Sequence, residues 1–319
     1  MKRVGNLYEK IYDMENIKLA HKNAMRGKRK YREVRKVESN PDKYLKQIQT
    51  MLIEKTYKNS EYTIFTRKFL KKTREIYKLP YFPDRIVHHC IMQILEPIWT
   101  KTFIRDTYSS IKGRGVHDGL ARVKLAVKDP NEVMCLKMDV TKFYPSIDHG
   151  VLKNILIKKI KCINTLNLLF TIIDSAKGVP IGNYLSQYFG NIYLTEMDHW
   201  IKEILKCKYY FRYCDDLVIL SDSSNHLHTV RKQIEKYLKE KLNLQLKSNW
   251  QIFPIQDRGI DFLGYKIFHS YTLIRKSIKD SFKKVLQNKS MKRSISSYWG
   301  WFKFADTYNF CNKYNFFVA

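Results

Sequence analysis

Three aspartates carry the chemistry this chain could perform. Asp139 lies at the end of the apolar run "VMCLKMDV" (133–140), and Asp215 and Asp216 interrupt "YYFRYCDDLVIL" (209–220). An aspartate in a hairpin turn can be there for its backbone alone, because it tolerates unusual angles. Other features argue for a further role. Such a turn favours Asp-Gly or Asn-Gly over Asp-Asp. Adjacent like charges are costly unless a cation neutralises them. A further carboxylate, Asp139, ends a separate strand. Hard oxygen ligands from two strand ends suit Mg²⁺. Two such ions, about 3.5–4 Å apart, form the clamp of nucleotidyl transfer: one activates a hydroxyl and the other neutralises the leaving pyrophosphate.

The elements that must position these carboxylates can be read along the chain. Residues 1–60 are charged and helical in pattern, and "RGKRKYREVRK" (26–36) is a basic cluster that suits either a solvated face or phosphate contact. "EYTIFTRKFLKKTREIYKLP" (61–80) alternates like a strand pair. "DRIVHHCIMQILEPIW" (84–99) reads as a buried helix with Ile86, Cys90, Ile94 and Ile98 on one stripe, and with His88 and His89 as structural residues. A basic glycine loop and a helix span 109–124, and a short strand delivers Asp139. Helices follow at "HGVLKNILIKKI" and "INTLNLLFTII". The loop "VPIGN" (179–183) then feeds a helix running to about 205. Strand, tight turn and strand surround Asp215–Asp216, followed by a helix at about 226–242 and strand segments in "LQLKSNWQIF" and "IDFLGYKIF". From Ser270 onward the pattern is helical and basic.

The net charge of +29 over 319 residues exceeds what solubility needs. A polyanion is the implied partner, and the interleaving of basic with aromatic residues favours a nucleic-acid groove with stacking platforms. No apolar run approaches the length of a membrane span, and "MKRVGNLYEK" lacks the apolar segment of a signal peptide. A cytoplasmic protein with no membrane partner is the expectation. The six cysteines show no CxxC spacing, so free thiols are expected rather than a zinc site.

Several segments together resemble reverse transcriptases. "MDVTKFYPSIDH" and "YCDDLVIL" are similar to the first and third palm motifs of that family. "LPYFPDRIVHHCIMQILEPIW" resembles the finger segment of its bacterial members, and "DFLGYKIF" their primer-grip hairpin. The resemblance implies an α+β right-hand polymerase. Its parts would be a basic helical extension (1–60), fingers and an antiparallel palm sheet backed by helices (61–269), and a short helical thumb (270–319). It implies that Asp139, Asp215 and Asp216 are catalytic and, with the Val140 carbonyl, hold two Mg²⁺ ions. Lys72 and Arg74 would bind the incoming deoxynucleoside triphosphate, together with Ile181 and Gly182. Tyr144 would exclude a 2′-hydroxyl. Arg114 would touch the template, Ser186 and Gln187 would bear on template fidelity, and Phe262, Leu263, Gly264 and Tyr265 would form the primer grip. Lys247 lies near the position of a general acid.

One motif narrows the resemblance. The usual second palm motif is Gln-Gly, three residues, then Ser-Pro; here it reads Ile181-Gly182, Asn183, Tyr184 and Leu185, then Ser186-Gln187. That form resembles the reverse transcriptases of diversity-generating retroelements, as do "GKR" (27–29), "KGRGVH", "RGIDFLGYKI" and "LIRKSIK". The resemblance implies copying of a template-repeat RNA into adenine-mutagenised cDNA, alongside a ring-forming basic accessory protein. Other bacterial reverse transcriptases, of retron or defence type, share the palm motifs. A catalytically silent RNA-binding assembly protein is the reading from a different class.

Overall fold

The computed structural model describes residues 3–69, 72–131, 133–287 and 292–314. The chain opens with α1 (Tyr8–Tyr12), α2 (Met14–Ala24), α3 (Arg32–Glu38) and α4 (Pro41–Ile53). Local chemistry sets two of their starts. Asp13 Oδ1 accepts from the Glu15 and Asn16 amides at the head of α2. Asn40 caps α4, whose first residue, Pro41, has no amide to satisfy. The hairpin β1 (Thr63–Phe69) and β2 (Lys72–Lys78) precedes α5 (Ile86–Thr100).

Next come α6 (Val116–Ala126), β3 (Met134–Asp139), α7 (Phe143–Ser146), α8 (His149–Lys159), α9 (Ile163–Ile173) and α10 (Tyr184–Glu203). The hairpin β4 (Tyr209–Tyr213) and β5 (Asp216–Ser221) is followed by α11 (Ser224–Leu242) and β6 (Gln251–Pro254). The chain continues through α12 (Ile255–Arg258), β7 (Ile260–Phe262), β8 (Tyr265–Ile267), β9 (Thr272–Ile274), α13 (Lys276–Gln287), α14 (Lys292–Phe302) and α15 (Tyr308–Lys313).

These elements form two compact units that interleave along the chain. One takes residues up to Ile104, Thr141–Asp198 and Tyr237–Leu244; the other takes Arg105–Val140, His199–Lys236 and the chain from Gln245. Boundaries at 60 and 270 therefore do not coincide with the compact units. The first unit holds the amino-terminal helices, the β1–β2 hairpin, α5 and α7–α9. The second holds an antiparallel sheet in the order β4-β5-β3-β6 and a smaller one in the order β7-β8-β9. In the larger sheet β3 and β5 are flanked on both sides, and β5 is buried from Leu217 to Ser221. That burial explains the unbroken apolar run of "LVIL".

Three details depart from the sequence reading. On α5 the fully buried positions include Val87, Ile91, Met92, Leu95 and Trp99 beside Ile86 and Cys90, while Ile94 and Ile98 are only half-buried. The helix is enclosed over a wider arc than a single stripe. "LQLKSNWQIF" is a strand only from Gln251, because its polar centre leaves just an isolated bridge at Leu246. Past Ser270 the chain first adds a strand, β9, to the smaller sheet before turning helical. Among the described residues, no helix is long and apolar enough to cross a membrane.

Candidate active site

The β3–β5 register places Asp139 directly opposite Asp216. Like charges facing each other across a sheet are destabilising. Asp215 stands beside them in the two-residue turn between β4 and β5, where Cys214 takes a left-handed φ of 55°. Such an angle is strained for a residue other than Gly, Asn or Asp. The turn is held from behind by Arg212, a fully buried side chain whose Nη1 donates to the Cys214 carbonyl at 3.0 Å.

Two lysines answer the negative charge. The Lys247 ammonium lies 2.6 Å from Asp139 Oδ1. The Lys247 amide also donates to the Asp139 carbonyl at 2.9 Å, beside the bridge between Val140 and Leu246. Lys137, two residues before Asp139 on the same face of β3, places its ammonium 3.6 Å from Asp216 Oδ2. The same ammonium donates to the Asp261 carbonyl. Arg275 in turn donates to Asp261 Oδ1 at 2.6 Å.

The compensation is incomplete. Burial, reinforced by the Asp139 charge, pushes the Asp215 carboxyl up to about 6. Burial pushes Asp216 up to about 7, although Lys137 pulls the other way. Asp139 Oδ1 and Asp216 Oδ1 are both buried without a hydrogen-bond donor; the Lys247 contact at Asp139 is an ion pair lacking hydrogen-bond alignment. Buried carboxylate oxygens left without donors are costly. Hard, buried and under-neutralised oxygens are what a divalent cation such as Mg²⁺ takes as ligands. The donor set therefore fits the ion. Among the described residues no three His, Cys, Asp or Glu side chains converge as a preformed cage, and Lys247 and Lys137 stand on two of the three carboxylates.

The first unit holds the expected nucleotide-side residues. Tyr144 lies on α7, half-buried, with its ring 5.2 Å from that of Phe143. Its carbonyl accepts from the Val179 amide at 2.9 Å. Gly190 on α10 lies directly beneath: a Cβ there would come within 3.0 Å of the Tyr144 ring.

Ile181 is half-buried, and its carbonyl accepts from the Tyr77 amide of β2 at 2.8 Å. Gly182 has a φ of 128°, and a Cβ there would sit 2.5 Å from the Tyr77 carbonyl. The glycine is therefore required by the approach of β2. Asn183 Nδ2 donates to the Tyr62 hydroxyl at 2.9 Å, so the loop and the β1–β2 hairpin are bolted together. Ser186 is buried and Gln187 is exposed.

On the hairpin, Arg74 is exposed and lies opposite Arg67, a second guanidinium that the sequence reading had not singled out. Lys72 begins β2, but its side chain lies outside the described residues. His88 and His89 are held neutral, pushed by burial to about 3 and about 4 respectively, in keeping with structural roles.

In the second unit Arg114 is half-buried in the loop before α6, where its amide donates to the Ile111 carbonyl at 3.1 Å. The expected primer-grip residues lie at the turn between β7 and β8. Phe262, Leu263 and Tyr265 are all buried, the Gly264 carbonyl accepts from the Arg275 amide at 2.9 Å, and Leu263 and Gly264 both take positive φ. This turn is a tight two-residue connection. Leu263 packs on Gly119 of α6, and Gly264 packs on Trp301. The hairpin's side chains pack into the core of the second unit.

The family model for reverse transcriptase (RNA-dependent DNA polymerase) matches residues 53–267. That is more than half of the chain, and the protein belongs to this family. Among curated relatives, it is 23% identical to protein YkfC of Escherichia coli strain K12 over 235 residues, covering 59% of this chain and 62% of that one. It is 25% identical to the group II intron-encoded protein LtrA of Lactococcus lactis subsp. cremoris over 154 residues, covering 45% of this chain and 25% of that one. A solved telomerase from Candida albicans, in complex with a fragment of telomeric RNA, superposes with a TM-score of 0.51 at 13% identity, over 76% of this chain and 55% of that one. The likeness establishes a shared α+β polymerase fold of the right-hand kind. The chain spans less than two thirds of the length of each of these proteins.

Proposed function

We propose that this protein is an RNA-directed DNA polymerase that joins deoxynucleotides by nucleotidyl transfer. The observation that carries this reading is the facing of Asp139 and Asp216, with Asp215 beside them and lysines on the flanks. Asp139, Asp215, Asp216 and the Val140 carbonyl are the residues that would hold magnesium. When bound, the metal supplies Lewis-acid stabilisation of the attacking and leaving oxygens. Lys247, whose ammonium stands on Asp139, would deliver a proton toward the departing pyrophosphate. Arg74, exposed on β2, supports a charge-assisted contact with the triphosphate, with Lys72 at the start of that strand. Tyr144, backed by Gly190, offers the rigid ring that would exclude a 2′-hydroxyl.

The narrower reading is a polymerase of the diversity-generating kind, copying a template-repeat RNA into cDNA with errors at adenines, alongside a ring-forming basic accessory protein. It rests on Ile181 and Gln187 in the second palm motif. Glutamine at position 181 would offer hydrogen bonds to the nucleotide, whereas isoleucine offers shape alone.

Primer extension on an annealed RNA template with Mg²⁺ tests the activity. Asp215→Ala and Asp216→Ala should be inactive; an inactive wild type that still binds RNA would leave the silent assembly protein as the answer. Ile181→Gln tests the narrower reading, with fewer misinsertions opposite template adenine as the expected result.

A further inference from the structure

Apart from the carboxylates, the second unit has a cleft of about 530 Å³ between one stripe of α6 and the segment that follows α14. His117, Lys124 and Leu125 of α6, at the spacing of one helical face, and Lys128 just past the helix line one wall. Lys303 and Phe304 form the other. The Phe304 ring stacks on His117, with centroids 4.1 Å apart and planes 24° from parallel, and the Lys303 ammonium lies over the same ring, 5.0 Å from its centroid. Phe304 remains 37% exposed and Leu125 65% exposed. Both apolar groups lie beside the lysines in the cleft lining.

The charge here is unbalanced. Lys124, Lys128 and Lys303 form no ion pair among the described residues. The acidic groups that might serve them are engaged elsewhere. Asp118 of α6 pairs with Arg105 at 2.7 Å. Asp129, just past the helix, pairs with Lys208 at 2.7 Å. Asp306, in the cleft lining, accepts from the Thr272 amide at 2.7 Å. Three ammonium groups against this one carboxylate in the lining leave a positive excess that favours an anion.

We propose that this cleft binds a single-stranded RNA segment, with Lys124 and Lys128 on its phosphates, and with Lys303 moving from the Phe304 ring to a phosphate as an unpaired base is laid on that ring. The inference rests on the reading of the protein as an RNA-templated polymerase and adds an RNA-holding site outside the catalytic carboxylates. Single-stranded RNA is favoured over a duplex because a stacking shelf can receive only a base whose face is free. It is favoured over an acidic peptide because phosphates joined to flat bases match both the lysines and the stacked ring, whereas carboxylates match the lysines alone.

The test uses the full chain with an annealed template–primer already bound. A labelled single-stranded oligouridylate is titrated by fluorescence anisotropy across a salt series, and a 4-thiouridine version is crosslinked and mapped by mass spectrometry. Crosslinks are expected at Phe304 or its neighbours. Replacing Lys124, Lys128 and Lys303 together by alanine should lower the slope of log affinity against log salt by about 2, at roughly 0.7 per phosphate contact on a single strand. The triple arginine replacement should keep the slope, which separates lost charge from lost folding. Phe304→Ala should weaken binding about tenfold, on the scale of one base–aromatic stack. Extension of the annealed template–primer, measured in parallel, should be unchanged in all these variants. An unchanged salt slope in the alanine variant, crosslinks confined to other segments, or displacement by polyglutamate but not by unlabelled RNA would overturn the proposal. Loss of extension in the wild type with second-site RNA binding intact would instead overturn the polymerase reading.

Discussion

The hairpins β4–β5 and β1–β2 share a topology and differ in how they carry charge. β4–β5 brings Asp215 and Asp216 into a largely buried setting, with Lys137 and Lys247 close by and Arg212 fixing the turn from behind. β1–β2 sets Arg74 opposite Arg67 on an exposed ribbon and leaves Ile64 and Phe65 about half exposed, at 54% and 45%. The first hairpin is clamped by a sheet on both sides of β5. The second is attached to its unit at the Ile181–Asn183 loop, through the Tyr77 amide and the Tyr62 hydroxyl. Burial makes the charge of the first expensive and therefore ready for a cation. Solvent makes the charge of the second cheap, and the few apolar contacts of the ribbon leave it easy to open.

The sharpest way to break this contrast is at the carboxylates. Asp215→Asn should reduce extension by about 10³-fold or more, since several kcal/mol of transition-state charge stabilisation is at stake. A variant retaining a tenth of wild-type turnover would show that the buried hairpin is not the reacting one. Lys247→Met should cost about 10²-fold in turnover, the scale of one general acid, and should flatten the alkaline limb of the pH–rate profile. Arg74→Ala should act mainly on the KM for the nucleotide, by about tenfold for one charge-assisted contact.

Gly182→Ala addresses the attachment of the exposed hairpin. The φ of 128° and the Tyr77 carbonyl both oppose a Cβ, so a cost of about 1–3 kcal/mol is expected. It should appear as a lower melting temperature and faster hydrogen exchange at the Tyr77 amide.

A separate effect is expected in stability against pH. Asp215 and Asp216 are raised to about 6 and about 7 by burial. Their contribution is full below the unfolded value near 4 and is lost as pH rises through 6 to 7. Magnesium should restore stability most at the upper end. His88 and His89, depressed by burial to about 3 and about 4, act in the opposite sense. Their contribution is full above about 6.5 and falls away as pH drops toward 3. Melting curves from pH 4 to 8 should therefore flatten at the upper end in Asp216→Asn and not at the lower end.

Much of the candidate site was legible because the proposed chemistry resides in residue types. Asp139, Asp215 and Asp216 stand out as carboxylates ending apolar strands, and no register is needed to see them. Lys247 could be placed only approximately, and Lys137 and Arg212 left no sequence signal, because a counter-charge is chosen by strand pairing and packing. The primer-grip segment "FLGY" was legible as a turn. Its burial was not, since that depends on Gly119 of α6 and Trp301 of α14, each far away along the chain.

The motif at 181–187 divides the two kinds of information. Its residues alone determined the departure from glutamine and proline on which the proposed error-prone type rests. Tertiary structure decided what Gly182 is for. The nearest obstacle to a Cβ there is the Tyr77 carbonyl of a strand more than a hundred residues earlier. A backbone oxygen at van der Waals range bears on a glycine through space, and nothing in the neighbouring sequence carries that contact.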